Sequence, residues 1–222
     1  MSQHRPVTKQ DLARIAALCG NRWDYHYTKS KLATDPIYGA VVEALALNDL
    51  PVLDIGCGMG LLAHYLRAAG SGRTVHGFDF DQRKIRSAQA MAKRGGLRDS
   101  HFHCGDAREA LPDFQGNVVI LDVLQYLTPD GQTALLTGCA AHVAPGCRLI
   151  IRTGLCDDSW RYKVTVAGDW LAKATRWMKA APVAYPTANG LRATLGSAGL
   201  TTTIRPLWGH TPFNNHLVIA ER

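Results

Sequence analysis

Residues 52–60 read Val-Leu-Asp-Ile-Gly-Cys-Gly-Met-Gly. An apolar run breaks into alternating glycines, with an acid, Asp54, two residues before the first. Glycines let a backbone turn sharply and approach a ligand that a Cβ would hold off, so Gly56, Cys57, Gly58 and Gly60 form a candidate cradling turn. Spacing narrows the ligand: a dinucleotide fingerprint, G-x-G-x-x-G, needs its third glycine at position 61, which is Leu61. Nine histidines are available for proton transfer near neutral pH. The six cysteines show no C-x-x-C pair and no zinc-ligand spacing, so no metal site is expected.

The elements that must hold these residues alternate in type. Short apolar runs at 51–55, 74–78, 100–104, 117–122 and 147–152 are separated by helical stretches at 60–69, 82–95 and 131–143 and a short turn near 107–111. Continuous runs such as Val118-Val119-Ile120-Leu121 suit strands buried on both faces. The alternation implies an α/β fold with a doubly wound, Rossmann-like sheet. A helix over 187–198 and strands at 201–208 and 215–220 complete a seven-stranded, mostly parallel sheet. Ligands of such sheets sit beyond the carboxyl ends of the strands. Upstream, Thr8-Lys9-Gln10-Asp11 predicts a capping box, and Asp35-Pro36 predicts the start of a helix through Leu47. The polar, aromatic stretch between them is expected to act as a lid. One domain is expected over 1–222: N-terminal helices and lid at 1–48, a core at 50–153, a helical insertion at 155–186, and a final helix and strand pair at 187–222.

Composition excludes several classes. With 46% hydrophobic and 19% charged residues the chain can fill a core and is not disordered. No apolar run approaches the roughly 20 residues of a membrane span, and the N-terminus has no signal-peptide pattern, so a cytoplasmic protein is expected. The net charge of +7 is compatible with nucleic acid or an acidic partner, and equally with a solvated basic surface.

The Asp-x-Gly-x-Gly-x-Gly pattern resembles motif I of class I S-adenosylmethionine (SAM)-dependent methyltransferases, and later segments resemble that family in order. The resemblance implies SAM as cofactor and S-adenosylhomocysteine (SAH) as product. Asp79, ending Val-His-Gly-Phe-Asp, matches the acid that holds both ribose hydroxyls, a task suited to a carboxylate. Phe80 would lie against the adenine. Cys104-Gly105-Asp106-Ala107 resembles the element whose Asp receives the adenine amino group, and Asp122 and Gln125 fall in the stretch lining the methionine end. Ala144-Pro145-Gly146 resembles the family's entry to strand five, with Cys147 where a second glycine is usual.

For the acceptor, the insertion carries a helical stripe, Trp160, Val164, Ala167, Leu171, Ala174 and Met178, flanked by Arg161, Lys163, Lys173, Arg176 and Lys179. Such a face fits an acidic carrier protein, a membrane surface or a packed core. The aromatic residues at both ends of the chain suit a small aromatic or apolar acceptor, with O-methylation favoured. Segments such as Thr153–Arg161 also resemble small bacterial methyltransferases associated with aryl-polyene-type pigments. Tyr27 and Lys31 are expected near the SAM carboxylate. His210, then His26, are the candidates for removing an acceptor proton. RNA or other nucleic acid is the alternative substrate, and a non-catalytic SAM-binding subunit a further alternative.

Overall fold

The computed structural model describes residues 4–174, 182–209 and 211–222. All seven expected strands form: β1 (Val52–Ile55), β2 (Val75–Asp79), β3 (Ser100–Cys104), β4 (Asn117–Leu121), β5 (Arg148–Gly154), β6 (Thr201–Pro206) and β7 (Asn215–Glu221). Their order is β3-β2-β1-β4-β5-β7-β6. The first five pair in parallel, while β7 runs antiparallel between β5 and β6. The order reverses between β1 and β4, and the glycine turn leaves the sheet at that switch point.

Three helices precede the sheet: α1 (Lys9–Ala17), α2 (Arg22–Thr34) and α3 (Ile37–Ala44). The capping box at Thr8 and Asp11 forms with both bonds present. The stretch read as a polar lid is itself a helix, α2. Its cap is the Asn21 side chain, which accepts from the Asp24 amide at 2.9 Å. Helix α3 starts one residue later than expected, with Pro36 rather than Asp35 at its cap position, and ends at Ala44 rather than Leu47; Asp35 Oδ1 still accepts from the Ile37 amide at 3.1 Å.

Helices α4 (Leu61–Ala68), α5 (Gln82–Gly95), α6 (Pro129–Ala141), α7 (Trp160–Ala174) and α8 (Ala188–Ser197) follow. One apolar cluster joins α1, α3, α4 and α5 to one side of the sheet, and a second joins α6 and α8 to the other. The connection from β3 to β4 holds a turn and no helix. Pro112, Asp113 and Phe114 of this connection line a cavity of about 250 Å³ against β2 and β3. No helix of the described residues is long and apolar enough to cross a membrane.

Candidate active site at the strand tips

The glycine turn is demanded by sterics. Gly56, Gly58 and Gly60 all have positive φ, at +76°, +56° and +74°. A Cβ on Gly56 would lie 2.3 Å from the Val123 side chain, and one on Gly60 would strike the Phe102 ring at 2.6 Å. A Cβ on Gly58 would meet nothing within 4 Å, so this residue faces open space. Strand β2 delivers Asp79 beside the turn. Its two oxygens accept from the Gly58 amide at 2.9 Å and the Asp81 amide at 2.8 Å, which ties the turn to the strand end. Each oxygen keeps a further lone pair for a hydroxyl donor. Phe80 follows with 70% of its surface exposed, free to lie against a flat ligand. Behind the turn, burial and the charge of Asp79 push the carboxyl of Asp54 up to about 7. Cys57 is buried, and its thiol is pushed far up, first by burial. An open cradle, a carboxylate with spare lone pairs and an exposed aromatic ring fit an adenosyl group.

Asp106 is occupied differently. It accepts from the Arg108 backbone amide at 2.9 Å and pairs with the Arg108 guanidinium, which lowers its pKa. It caps this turn, and any adenine contact would use its remaining lone pairs. Ala107 packs beside it on the second apolar cluster.

Beyond β4 and β5 lies a cavity of about 190 Å³. Asp122, Gln125 and Arg152 supply polar lining, and Tyr126, Tyr185 and Phe213 supply aromatic lining. Helix α7 packs along it: a Cβ on Gly168 would stand 3.1 Å from the Phe213 ring, and Thr165 lies in the wall. Asp122 is the non-glycine residue with positive φ, +59°, among the described residues. Such a conformation is uncommon outside glycine, asparagine and aspartate and marks a constrained position.

A charge network supplies the constraint. The buried Arg152 guanidinium pairs with Asp122 and also donates to Asp35 Oδ1 at 3.1 Å. Lys31 Nζ lies 3.2 Å from Asp35 and 3.8 Å from Asp122. Burial disfavours charge on Arg152 and on Lys31. The neighbouring acids, led by Asp122, outweigh it and raise both pKa values. Lys31 is thus clasped to two acids, and Tyr27 stands partly exposed one turn earlier.

His26 stands exposed on α2, edge-on to Tyr25 at 5.1 Å, and does not line the cavity. His210 lies outside the described residues, as do Arg176, Met178 and Lys179 of the basic stripe. Asn214 spends its side chain on the fold, donating to Leu155 O and Asp157 Oδ2, both at 2.8 Å. Asn215 does line the cavity. Arg161 lies between the Trp160 and Trp208 rings, at 4.8 and 4.3 Å, and donates to Thr211 O, fastening α7 to the β6–β7 loop. The site roles of Asp35 and Tyr185 carry no local sequence signal.

Residues 52–146 match a family described as "Methyltransferase domain". A ubiquinone biosynthesis O-methyltransferase from Coxiella burnetii (strain Dugway 5J108-111) is 29% identical over 151 aligned residues, covering 66% of this chain and 62% of that protein. The match thus spans less than two thirds of that relative's length. A protein of the same description from Dinoroseobacter shibae is 27% identical, covering 97% of this chain and 92% of its own. In structure the chain is similar to the magnesium protoporphyrin IX methyltransferase of Synechocystis PCC 6803, solved with bound SAH. The TM-score is 0.66 at 20% identity, over 100% of this chain and 90% of that one.

Proposed function

We propose that this chain is a class I SAM-dependent methyltransferase that moves the methyl group of SAM to an oxygen of a small aromatic or apolar acceptor. One observation carries the reading: the aromatic-lined cavity begins where the glycine turn ends. Val123 touches Gly56, and its neighbours Asp122 and Gln125 line the cavity. A cofactor on the turn and a ring in the cavity would thus be neighbours. An engineered cavity of about 150 Å³ accepts benzene, so a volume of about 190 Å³ suits one substituted ring. The O-methyltransferase descriptions of the relatives favour oxygen as the atom methylated.

SAM, when bound, supplies an electrophilic methyl group on a sulfonium. The chain's own part is alignment. Asp79 and the turn at Gly58 hold the ribose side, Phe80 and the segment at Asp106 and Ala107 flank the adenine, and the cavity holds the acceptor ring against the strand tips. Orienting two reactants in this way is a large catalytic effect. Removal of the acceptor proton falls to His210. The basic flank of α7, including Arg161 and Lys163, would receive an acidic carrier if the acceptor arrives tethered.

The test incubates the purified chain with SAM and, separately, hydroxylated benzenes, an acyl-carrier-bound hydroxyarene and bulk RNA, reading SAH release and methylated product by mass spectrometry. Methyl ethers from a ring substrate support the proposal. Methylation of RNA alone, or SAM binding without transfer to any of them, refutes it.

A further inference from the structure

Two glycines beside the acceptor cavity stand where no backbone demand explains them. Gly154 ends β5 and lines the cavity, and Gly168 lies inside α7. Neither has a positive φ, so an L side chain fits the backbone at both. Glycine inside a helix is destabilising relative to alanine, so position 168 carries a cost that something else must offset. What each glycine does face is a ring of the cavity wall. A Cβ on Gly154 would stand 3.2 Å from both Cδ1 and Cε1 of Tyr185 and 3.6 Å from the Thr165 methyl. One on Gly168 would stand 3.1 Å from Phe213 Cε1. Tyr185, Thr165 and Phe213 all line the cavity. The ring separations fall inside the about 3.5–4.0 Å of ordinary carbon–carbon contact, so a side chain there would force something to shift.

The backbone that carries each ring is tied down. Arg161 donates to Thr211 O at 2.7 Å, and the Asn214 amide donates to Thr165 Oγ1 at 2.7 Å, so both flanks of Phe213 are fastened to α7. Positions 161, 165 and 168 share one face of that helix. Helix and loop therefore hold together, and bulk added at 168 turns the Phe213 ring toward the open cavity instead of parting the two. Tyr185 follows Val183 and Ala184, whose amides donate to Gln125 O at 2.7 and 3.3 Å, and its ring meets Tyr162 edge-on at 5.6 Å. A methyl on Gly154 would enter between this ring and Thr165. We infer that Gly154 and Gly168 determine acceptor specificity: lacking a Cβ, they let Tyr185 and Phe213 stand back, and so set the widest acceptor that the cavity admits. This rests on the proposed acceptor role of the cavity and adds a limit of width to it.

The experiment assays the full chain, Gly154→Ala and Gly168→Ala with SAM and two acceptors of different width, phenol and 3,5-dimethylphenol. In each variant the ratio of kcat/KM for the wider ring to that for phenol should fall roughly ten- to hundredfold, the scale on which a fitted pocket senses one methyl group. The loss should lie in the KM of the acceptor, with the KM of SAM unchanged. Adding Phe213→Leu to Gly168→Ala should restore the wider ring, because the smaller side chain returns the space. Gly138→Ala is the control: it sits in α6 away from the cavity, its Cβ would meet Leu111 at 3.2 Å, and the ratio should not move. If Gly154→Ala does not fold, Gly168→Ala decides, since alanine favours the helix. A parent that refuses the wider ring, a ratio unmoved in the variants, a fall matched by Gly138→Ala, or a double variant without recovery would each overturn the inference. If no ring is methylated, the functional reading fails by itself. Ligand-observed NMR on the SAH-loaded chain then decides this one: binding of 3,5-dimethylphenol lost in the variants while phenol still binds upholds it, and no binding, or equal effects on both rings, overturns it.

Discussion

Replacing Asp54 by asparagine should make the protein progressively more stable than the unaltered chain as pH rises. Asp54 is buried on β1, and burial together with the nearby Asp79 charge raises its carboxyl to about 7, against about 3.9 in an unfolded chain. Between those values the native state holds a proton that the unfolded state has released. Stability therefore falls as pH climbs through this window and levels off above it. At pH 5 the unfolded state gains about 1.5 kcal/mol from ionising this group, and at pH 8 about 4 kcal/mol. Asparagine has the same shape and no charge, so the difference between variant and parent should widen by about 2.5 kcal/mol over that range. Burial also lowers His64 to about 4, which adds stability as pH rises from acid toward neutral, so the absolute curve of either protein mixes two opposing trends. Subtracting one urea denaturation series from the other at each pH removes the histidine. A difference independent of pH, or one that shrinks as pH rises, would refute the assignment of Asp54 as a carboxyl protonated in the folded state.

Asp79→Ala removes the acceptor for the Gly58 and Asp81 amides as well as the proposed ribose partner, with charged hydrogen bonds at about 1.5–3 kcal/mol each. Calorimetry should find SAM affinity reduced tenfold or more, and unchanged affinity would reject this strand end as the ribose site. Arg152→Met leaves two partly buried acids to Lys31 alone and should cost about 3 kcal/mol in urea denaturation, the low end for a broken buried pair; a loss below about 1 kcal/mol would mean the network is not holding the strand tips. His210→Ala should lower turnover at neutral pH and regain part of it at high pH, where a phenol ionises unaided. Wild-type rates throughout would leave the reaction to alignment alone.

The glycine turn was legible because its conformational demands are local. A turn with three positive-φ positions needs glycine at each, and of the acids that bear on it Asp79 closes β2 and Asp54 stands one residue before the end of β1. The seven strands were legible for a similar reason, since continuous apolar runs leave few other elements. Helix α2 was not. It buries only Thr28 and Leu32 and leaves Trp23 and Tyr27 exposed, so its apolar face is too narrow to announce a helix, although the Asn21–Asp24 cap was there to be read. The charge network was hidden by distance along the chain, with Arg152 separated from Asp35 by 117 positions and from Asp122 by 30. Asp35 was readable as a cap, which it is, but its second oxygen is committed to ion pairs that no local pattern encodes.

The guanidinium of Arg152 touches both the junction of α2 with α3 and the wall of the acceptor cavity. The N-terminal helices and the cavity are therefore not independent modules that selection can tune separately. A change at Asp35 that never contacts a substrate would alter the left-handed backbone at Asp122 and with it the shape presented to the acceptor. Libraries aimed at new acceptors should thus draw as many useful variants from residues 31–38 as from the cavity lining, while grafting the N-terminus of a relative onto this core should change acceptor preference without altering a single lining residue.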